Sequence, residues 1–297
     1  MICVEKQYSN DGSIKYLWQL TDGKTVESIY FIFCDQIYTC ISSQVGCNVK
    51  CEFCETGKQS NLRNLLAEEM YGQVAETLND LRSKTLTRLY QVAVAGMGEP
   101  LLNFQNLMNA ASRMIDEDLA ETISISTSGV VPKIRELVGT PITKLFISLH
   151  ATTDAIRNIL VPMNRKYPIS ELLKASRYFC EKVGVPVTAT YLMFDGVNDS
   201  DDDLERLTQL LDPQLFIIQL SEWNWIYDAK FKRSPRIEFF YNELSNRGYD
   251  VFILHSKGSD IEGGCGQLRS RHLTKQEKNL AVELPKQVEV ITTRLDH

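Results

Sequence analysis

At 297 residues, with 43% hydrophobic and 24% charged side chains, the chain has an ordinary globular composition and is long enough to bury one large core. The formal net charge of −6 argues against broad electrostatic binding to nucleic acid, which uses a basic surface. A local basic channel from scattered cations such as Lys58, Arg63, Arg165 and Lys230 is still compatible with it. No apolar run reaches the roughly 18 residues of a membrane span, and the first eight residues carry neither a basic nor an apolar leader region, so a cytoplasmic protein with free thiols is expected.

Residues 1–25 are polar and read as an irregular or small β lead-in. Val26–Phe33 and Gln36–Ser42 are apolar, aromatic and β-branched, and a Cys-Asp pair separates them, so they predict a hairpin that closes an N-terminal segment, 1–42. A cysteine stretch follows at once. Cys47, Cys51 and Cys54 form C-x₃-C-x₂-C, and packing alone does not account for three cysteines in eight residues. Thiolates are the usual ligands of iron–sulfur clusters. Three of them on a four-iron cluster leave one iron open to a substrate or cofactor. Structural zinc would call for a second cysteine pair or a Cys/His pairing. Here Cys3, Cys34, Cys40, Cys180 and Cys265 are isolated, and His150, His255, His272 and His297 show no ligand spacing with them. A disulfide framework does not suit so long a chain without a leader.

Leu66–Arg82 places apolar residues at Leu66, Met70, Val74, Leu78 and Leu81, which predicts an amphipathic helix. The chain then alternates. Strands are expected at Leu89–Ala95, Ile123–Thr127, Leu145–Leu149, Val187–Leu192, Leu215–Leu220 and Val251–Leu254. Helices are expected at Phe104–Ile115, Pro132–Leu137, Asp154–Leu160, Glu171–Lys182, Asp201–Leu211 and Arg236–Asn246, with Asn103, Ser170 and Ser200 placed to cap. Such alternation implies a parallel sheet with helices outside it, and about six units predict an incomplete (β/α)6-type barrel over residues 43–270. The tail, 271–297, is polar and reads as a short helix and strand.

The remaining motifs fall at strand ends, where a parallel sheet carries its functional loops. Gly96-Met97-Gly98-Glu99-Pro100 could let a ligand approach the backbone, with Glu99 accepting from an ammonium group, or could be only a loop. Hydroxyls in Ser126-Thr127-Ser128-Gly129 could bond a ribose or carboxylate, or cap a helix. His150, after Ser148 and Leu149, is either a ligand contact or a satisfied structural residue. Asn224 could read a purine edge, whereas Trp223 beside it suits packing. Cys265 lies between glycines in Gly263-Gly264-Cys265-Gly266, where a thiol on a mobile backbone could reach a buried reactive centre, or be incidental.

In order, CISSQVGC-x₃-C-x₂-C-x-TGKQ, GMGEPL, STSGVVPKI, SLHA, VPMNRKYPI, DGVNDS and CGQL span about Glu27 to Gln267. Together they closely resemble the RNA adenine methyltransferases of the radical S-adenosylmethionine (SAM) superfamily, the RlmN-like and Cfr-like enzymes. The resemblance implies a [4Fe–4S] cluster on Cys47, Cys51 and Cys54, and a SAM site at Gly98, Glu99, Ser126, Ser148, Leu149, His150 and Asn224. It also implies that Cys265 becomes methylated, that Cys40 is its partner thiol, and that Glu27 accepts a proton. In family terms one SAM methylates Cys265. A second yields the radical that takes a hydrogen from that methyl group. The carbon radical adds to adenine, and Cys40 releases the product by forming a disulfide with Cys265. Electrons then come from a donor such as flavodoxin or ferredoxin. GMGEP and STSGVVP resemble the branch that methylates C2 rather than C8.

Family members carry a longer, helical RNA-holding segment ahead of the hairpin, where this sequence has about 25 residues, and the stretch after Asn224 lacks their proline-rich run. Three readings follow: methylation of adenine in ribosomal or transfer RNA, the same chemistry on a small adenine-containing molecule or related heterocycle, and a non-catalytic cluster protein that binds RNA or a partner. The full set of Glu27, Cys40, Cys47, Cys51, Cys54 and Cys265 speaks against the last. A monomer that does not bind membranes is expected.

Overall fold

The structure is a computed structural model and describes residues 1–60, 63–81, 89–223 and 230–274. The expected hairpin is present as β3 (Thr25–Phe33) and β4 (Gln36–Ile41). Its two turn residues, Cys34 and Asp35, both have positive φ, 47° and 58°. That is the condition for a two-residue turn whose twist matches the flanking strands. The lead-in is more regular than its polarity suggests. β1 (Ile2–Tyr8) and β2 (Ile14–Gln19) extend the hairpin into four antiparallel strands. Within that lead-in β2 is largely apolar and aromatic, and it buries every residue but its last, Lys15 included.

After β4 come β5 (Gln44–Val45), α1 (Glu55–Lys58), β6 (Arg63–Asn64) and α2 (Ala67–Leu81). The alternating part follows as β7 (Leu89–Val94), α3 (Phe104–Asp116), β8 (Ala120–Thr127), α4 (Val131–Glu136) and β9 (Ile142–Ser148). It continues with α5 (Asp154–Leu160), α6 (Ile169–Val183), β10 (Val187–Leu192), α7 (Asp201–Leu210), β11 (Phe216–Ser221), α8 (Ile237–Asn246) and β12 (Val251–Leu254). One ten-stranded sheet results, in the order β1-β2-β3-β4-β7-β8-β9-β10-β11-β12. From β4 onward every neighbouring pair is parallel. β12 carries the parallel run one strand past a sixfold count, and the ends of the sheet do not pair, so the barrel is incomplete as expected.

The capping expectations fare unevenly. Ser200 caps α7 in a full capping box with Asp203, accepting from its N–H at 3.1 Å. Ser170 lies inside α6, whose N-cap is Pro168. The proline fixes the extended entry backbone, so the helix starts two residues earlier than the serine would have it. Asn103 makes no capping bond. Its amide instead donates to the carbonyls of Ser43 (2.9 Å) and Leu65 (2.8 Å), tying the loop after β4 to the start of α2.

The main core lies between the helices and one face of the barrel strands, where residues such as Val92, Ile123, Ile147, Ala189 and Ile218 alternate with those that face the lumen. A smaller apolar cluster of Val49, Ala151, Leu160, Val161, Phe194 and Trp223 backs the cysteine loop. Of the tail, only residues 271–274 are described, and they continue a helix that begins at 267.

Candidate active site

β4 delivers the chain to the cysteine loop, and Ser42 fixes the departure. Its Oγ donates to the carbonyl of Glu27 (2.6 Å) and accepts from the N–H of Met97 (3.1 Å). Its own N–H donates to the side-chain carbonyl of the buried Gln73 on α2 (2.9 Å). Cys54 N–H donates to Cys51 O (3.2 Å), and Gly57 N–H to Cys54 O (3.0 Å), which curls the loop into α1. A Cβ on Gly57 would stand 2.8 Å from Cys51 O, so only glycine permits this curl. Phe53, between the last two cysteines, faces His150 edge-on at 5.0 Å, and its carbonyl accepts from the indole N–H of Trp223 (3.0 Å). Trp223 is therefore a packing residue, as expected.

The three thiols lie close enough to feel one another's charge. Burial pushes the pKa of Cys47 up to about 11 and of Cys54 up to about 12, and raises Cys51 as well. Among the described residues, no three His, Cys, Asp or Glu side chains gather to hold a single metal ion. An all-thiol donor set within one loop fits an iron–sulfur cluster, whose positive irons favour the thiolates that burial disfavours.

The strand-end loops converge beside these thiols. Gly98 has φ +105°, and a Cβ there would stand 2.6 Å from the side chain of Gln44. Glu99 is buried, with its carboxylate fully engaged. One oxygen accepts from Leu101 N–H (3.1 Å) and Thr127 Oγ1 (2.7 Å). The other accepts from the N–H and Oγ of Ser128, both at 2.7 Å. Burial raises its pKa against these bonds. An ammonium ligand here would replace a hydroxyl, and both hydroxyls can rotate away. Ser126 instead faces the barrel lumen.

His150 has φ +55°, is buried, and accepts at Nδ1 from Leu192 N–H (3.1 Å). Burial, then the nearby Arg157 cation, lowers its pKa to about 3. The ring is neutral, with its proton on Nε2. Ser148 and Leu149 flank it, and both give their carbonyls to Arg157. That guanidinium is wholly buried and donates to Leu149 O (3.0 Å), Ser148 O (2.8 Å), Ser128 O (2.8 Å) and Asn164 Oδ1 (2.8 Å). Arg157 and Asn164 thus lock the ends of β8 and β9 together. The sequence held them in plain view, in VPMNRKYPI and the helix before it. Asn224 lies outside the described residues.

On the other side stands Cys265. Its Sγ donates to Ala95 O at 3.6 Å, and the Cys40 thiol is near enough to interact with it. That thiol, with help from the Lys15 cation, lowers the Cys265 pKa, and Cys265 raises that of Cys40. Both thiols are free. The loop of Cys265 packs directly on α1. A Cβ on Gly266 would stand 2.6 Å from Thr56 Oγ1, and Gln59 donates to Gly266 O (2.8 Å) and Ser270 Oγ (2.7 Å). Glu27 is buried against this loop and ion-paired to Lys15 at 2.7 Å. Lys15 is a site residue that sequence reading passed over, because a lone lysine in a polar lead-in carries no motif. Below the thiols, a lumen cavity of about 460 Å³ is lined by Cys40, Ala95, Ser126, Lys144, Phe33 and Gly263 among others. Of the scattered cations that could have formed a basic channel, Arg63 is held by Asp22 and Glu69, and Lys230 by Glu52.

An open parallel barrel, with a three-cysteine loop after its first parallel strand and ligand loops at the following strand ends, defines a class of cofactor-dependent radical enzyme. Residues 41–208 match the model of the radical SAM superfamily. The chain is 39% identical to "Dual-specificity RNA methyltransferase RlmN" of Ruegeria sp. (strain TM1040), across 94% of this chain and 75% of that protein. It is 40% identical to the protein of the same name in Paracoccus denitrificans, across 90% and 72%. A crystal structure of a radical SAM methyltransferase from Sphaerobacter thermophilus superposes with a TM-score of 0.85 at 39% identity, across 90% of this chain and 80% of that one. The chain belongs to the radical SAM superfamily and, within it, to the RlmN-like methyltransferases. Membership brings a [4Fe–4S] cluster and SAM as cofactors. No helix among the described residues is long and apolar enough to cross a membrane.

Proposed function

We propose that the chain methylates a ring carbon of adenine, C2 rather than C8, in ribosomal or transfer RNA, with Cys265 as methyl carrier and Cys40 as partner thiol. The observation that carries this reading is the neighbouring Cys40 and Cys265 thiols at the lumen, beside the loop of Cys47, Cys51 and Cys54. RNA as substrate is supported by the relatives, whose names describe RNA methyltransferases. C2 is supported by GMGEP and STSGVVP. In this reading Cys47, Cys51 and Cys54 hold the cluster, and Gly98, Glu99, Ser126, Ser148, Leu149, His150 and Asn224 surround SAM, two of which are used per turnover.

When bound, the cluster and SAM supply an electrophilic methyl group and a hydrogen-abstracting radical. The chain's own residues do the rest. Cys265, its pKa lowered by Cys40 and the Lys15 cation, is the nucleophile for the methyl group. Glu27 accepts from the carrier loop at Gly266 N–H and would take up the adenine ring proton, while the unpaired electron left by radical addition would leave through the bound redox cofactor. Cys40 then attacks the sulfur of Cys265. The S–S bond forms, the carbon–sulfur bond to the base breaks, and its electron pair leaves with the product carbon, which is then protonated. A ferredoxin- or flavodoxin-type donor returns two electrons to the disulfide. We read the working form as a monomer free of membranes.

The test is nucleoside mass spectrometry of ribosomal and transfer RNA from cells that lack their own adenine-C2 methylase. Expression of this chain should yield 2-methyladenosine, and the Cys265→Ala variant should yield none. An 8-methyl product would reassign the ring position. No new methyladenosine, from protein with full iron content and a methylated Cys265, would overturn the RNA reading and direct the search to small adenine-containing molecules.

A further inference from the structure

Lys15 and Glu27 lie on neighbouring strands of the antiparallel extension. Lys15 pairs in register with Ile29, and Ile29 with Cys40, so Lys15 and Cys40 project from one face of the sheet. Glu27, two residues before Ile29, shares that face. Both charges are 2% exposed and stand 2.7 Å apart. A buried ion pair is tolerated only where further hydrogen bonds satisfy its remaining protons and lone pairs. Here those bonds come from a single segment. The ammonium donates to Gly263 O and Gly264 O, each at 3.3 Å. The carboxylate accepts from Gly266 N–H at 2.8 Å and Arg269 N–H at 2.6 Å. These four contacts fall two and one residues before Cys265, and one and four after it.

The geometry points to Lys15 as a positioning residue: with Glu27 it forms a two-armed clamp on residues 263–269 that sets the Cys265 thiol against Cys40. The inference rests on the reading that these two cysteines are the reacting pair. Scaffolding of the extension alone does not account for the arrangement, since an apolar pair of similar volume fills such a place at no loss of stability. The cost of burying two charges is offset only when the 263–269 loop is seated, so the pair selects that seated state. The Lys15 cation also favours the thiolate of Cys265, acting behind the neighbouring Cys40 thiol.

The experiment uses cluster-loaded enzyme without SAM or substrate, so its outcome does not depend on which molecule is methylated. Diamide is added, and Cys40–Cys265 disulfide formation is followed by peptide mass mapping. Backbone hydrogen exchange at Gly266 and Arg269 is read in parallel, with α6 as internal reference. In the wild type both amides should be protected from exchange; exchange at the rate of a free loop would overturn the clamp without any variant. Lys15→Met should slow disulfide formation about tenfold or more, because an unclamped thiol loses its orientation toward its partner. Exchange at Gly266 and Arg269 should rise by a similar factor, with α6 unchanged. Should Lys15→Met fail to fold around an unpaired Glu27, Lys15→Met/Glu27→Gln removes both charges together and should show the same slowing. Either variant, folded with wild-type iron content and α6 protection, that forms the disulfide at the wild-type rate would sink the proposal.

Discussion

The loop of Cys47, Cys51 and Cys54 and the loop of Cys265 meet at one point, yet they are held there by different means. The cluster loop curls on its own backbone, through Cys51, Cys54 and Gly57, and leans on apolar neighbours such as Phe194 and Trp223. The ligand loops beside it are locked by Arg157 from the adjoining helix, through neutral carbonyls and an amide. The Cys265 loop has turn bonds of its own, such as Gly263 N–H to Ile261 O (2.8 Å), and a contact with Gln59 of the cluster-loop side, but around the cysteine it depends on charged partners as well. Four of its backbone groups are satisfied by a lysine and a glutamate that lie 239 to 249 residues away along the chain. Rigid local geometry suits three ligands that stay in place. In the proposed reading, a thiol that accepts a methyl group, carries it and then turns to a second thiol suits a loop held by a few separable polar contacts.

Substitutions can break or sharpen this contrast. The largest effect should come from Cys51→Ala, which removes one donor of a three-donor set. Iron content and visible absorbance after reconstitution should fall to background, and methylation with them, while wild-type values would show that the loop does not hold the cluster. Arg157→Met should come next. It leaves three buried carbonyls and Asn164 without their donor, and should cost about 3–5 kcal/mol in urea unfolding, within the range for breaking a buried charged network. A loss no larger than that of a surface substitution would mean that local locking is not what fixes the strand ends. Gly98→Ala should be milder, about 1–3 kcal/mol, from positive φ and contact with Gln44. Its cost should appear both in thermal unfolding and as weakened SAM binding by calorimetry. Ser200→Ala, remote from both loops, should lose about 1 kcal/mol of cap energy and leave cluster content and Cys40–Cys265 disulfide formation unchanged.

The same contrast explains what could be read from residues alone. The cysteine loop, the glycine loop at Gly98 and the strand-end hydroxyls are short-range patterns, and each kept its place when the chain folded. The barrel was legible because alternating apolar strands and amphipathic helices are local signals. Lys15 was not legible, because a single lysine in a short strand carries no motif and its partners are Glu27 and backbone atoms of a distant segment. Arg157 was passed over for a related reason: an arginine on a helix reads as solvated surface until the carbonyls of Leu149, Ser148 and Ser128 are seen around it. Ser170 shows the opposite error, in which a good capping residue lost to a proline two positions earlier that fixes the helix entry.

The account turns on Cys40 and Cys265 working as a pair, and the most direct test is the Cys40→Ala variant purified from RNA-containing cells. With the partner thiol gone, the protein should emerge covalently joined to RNA through Cys265, seen as nuclease-trimmed adducts on the Cys265 peptide by mass spectrometry. Cys40→Ala/Cys265→Ala should carry none. Free methylated product over many turnovers from Cys40→Ala, with no adduct on Cys265, would contradict it.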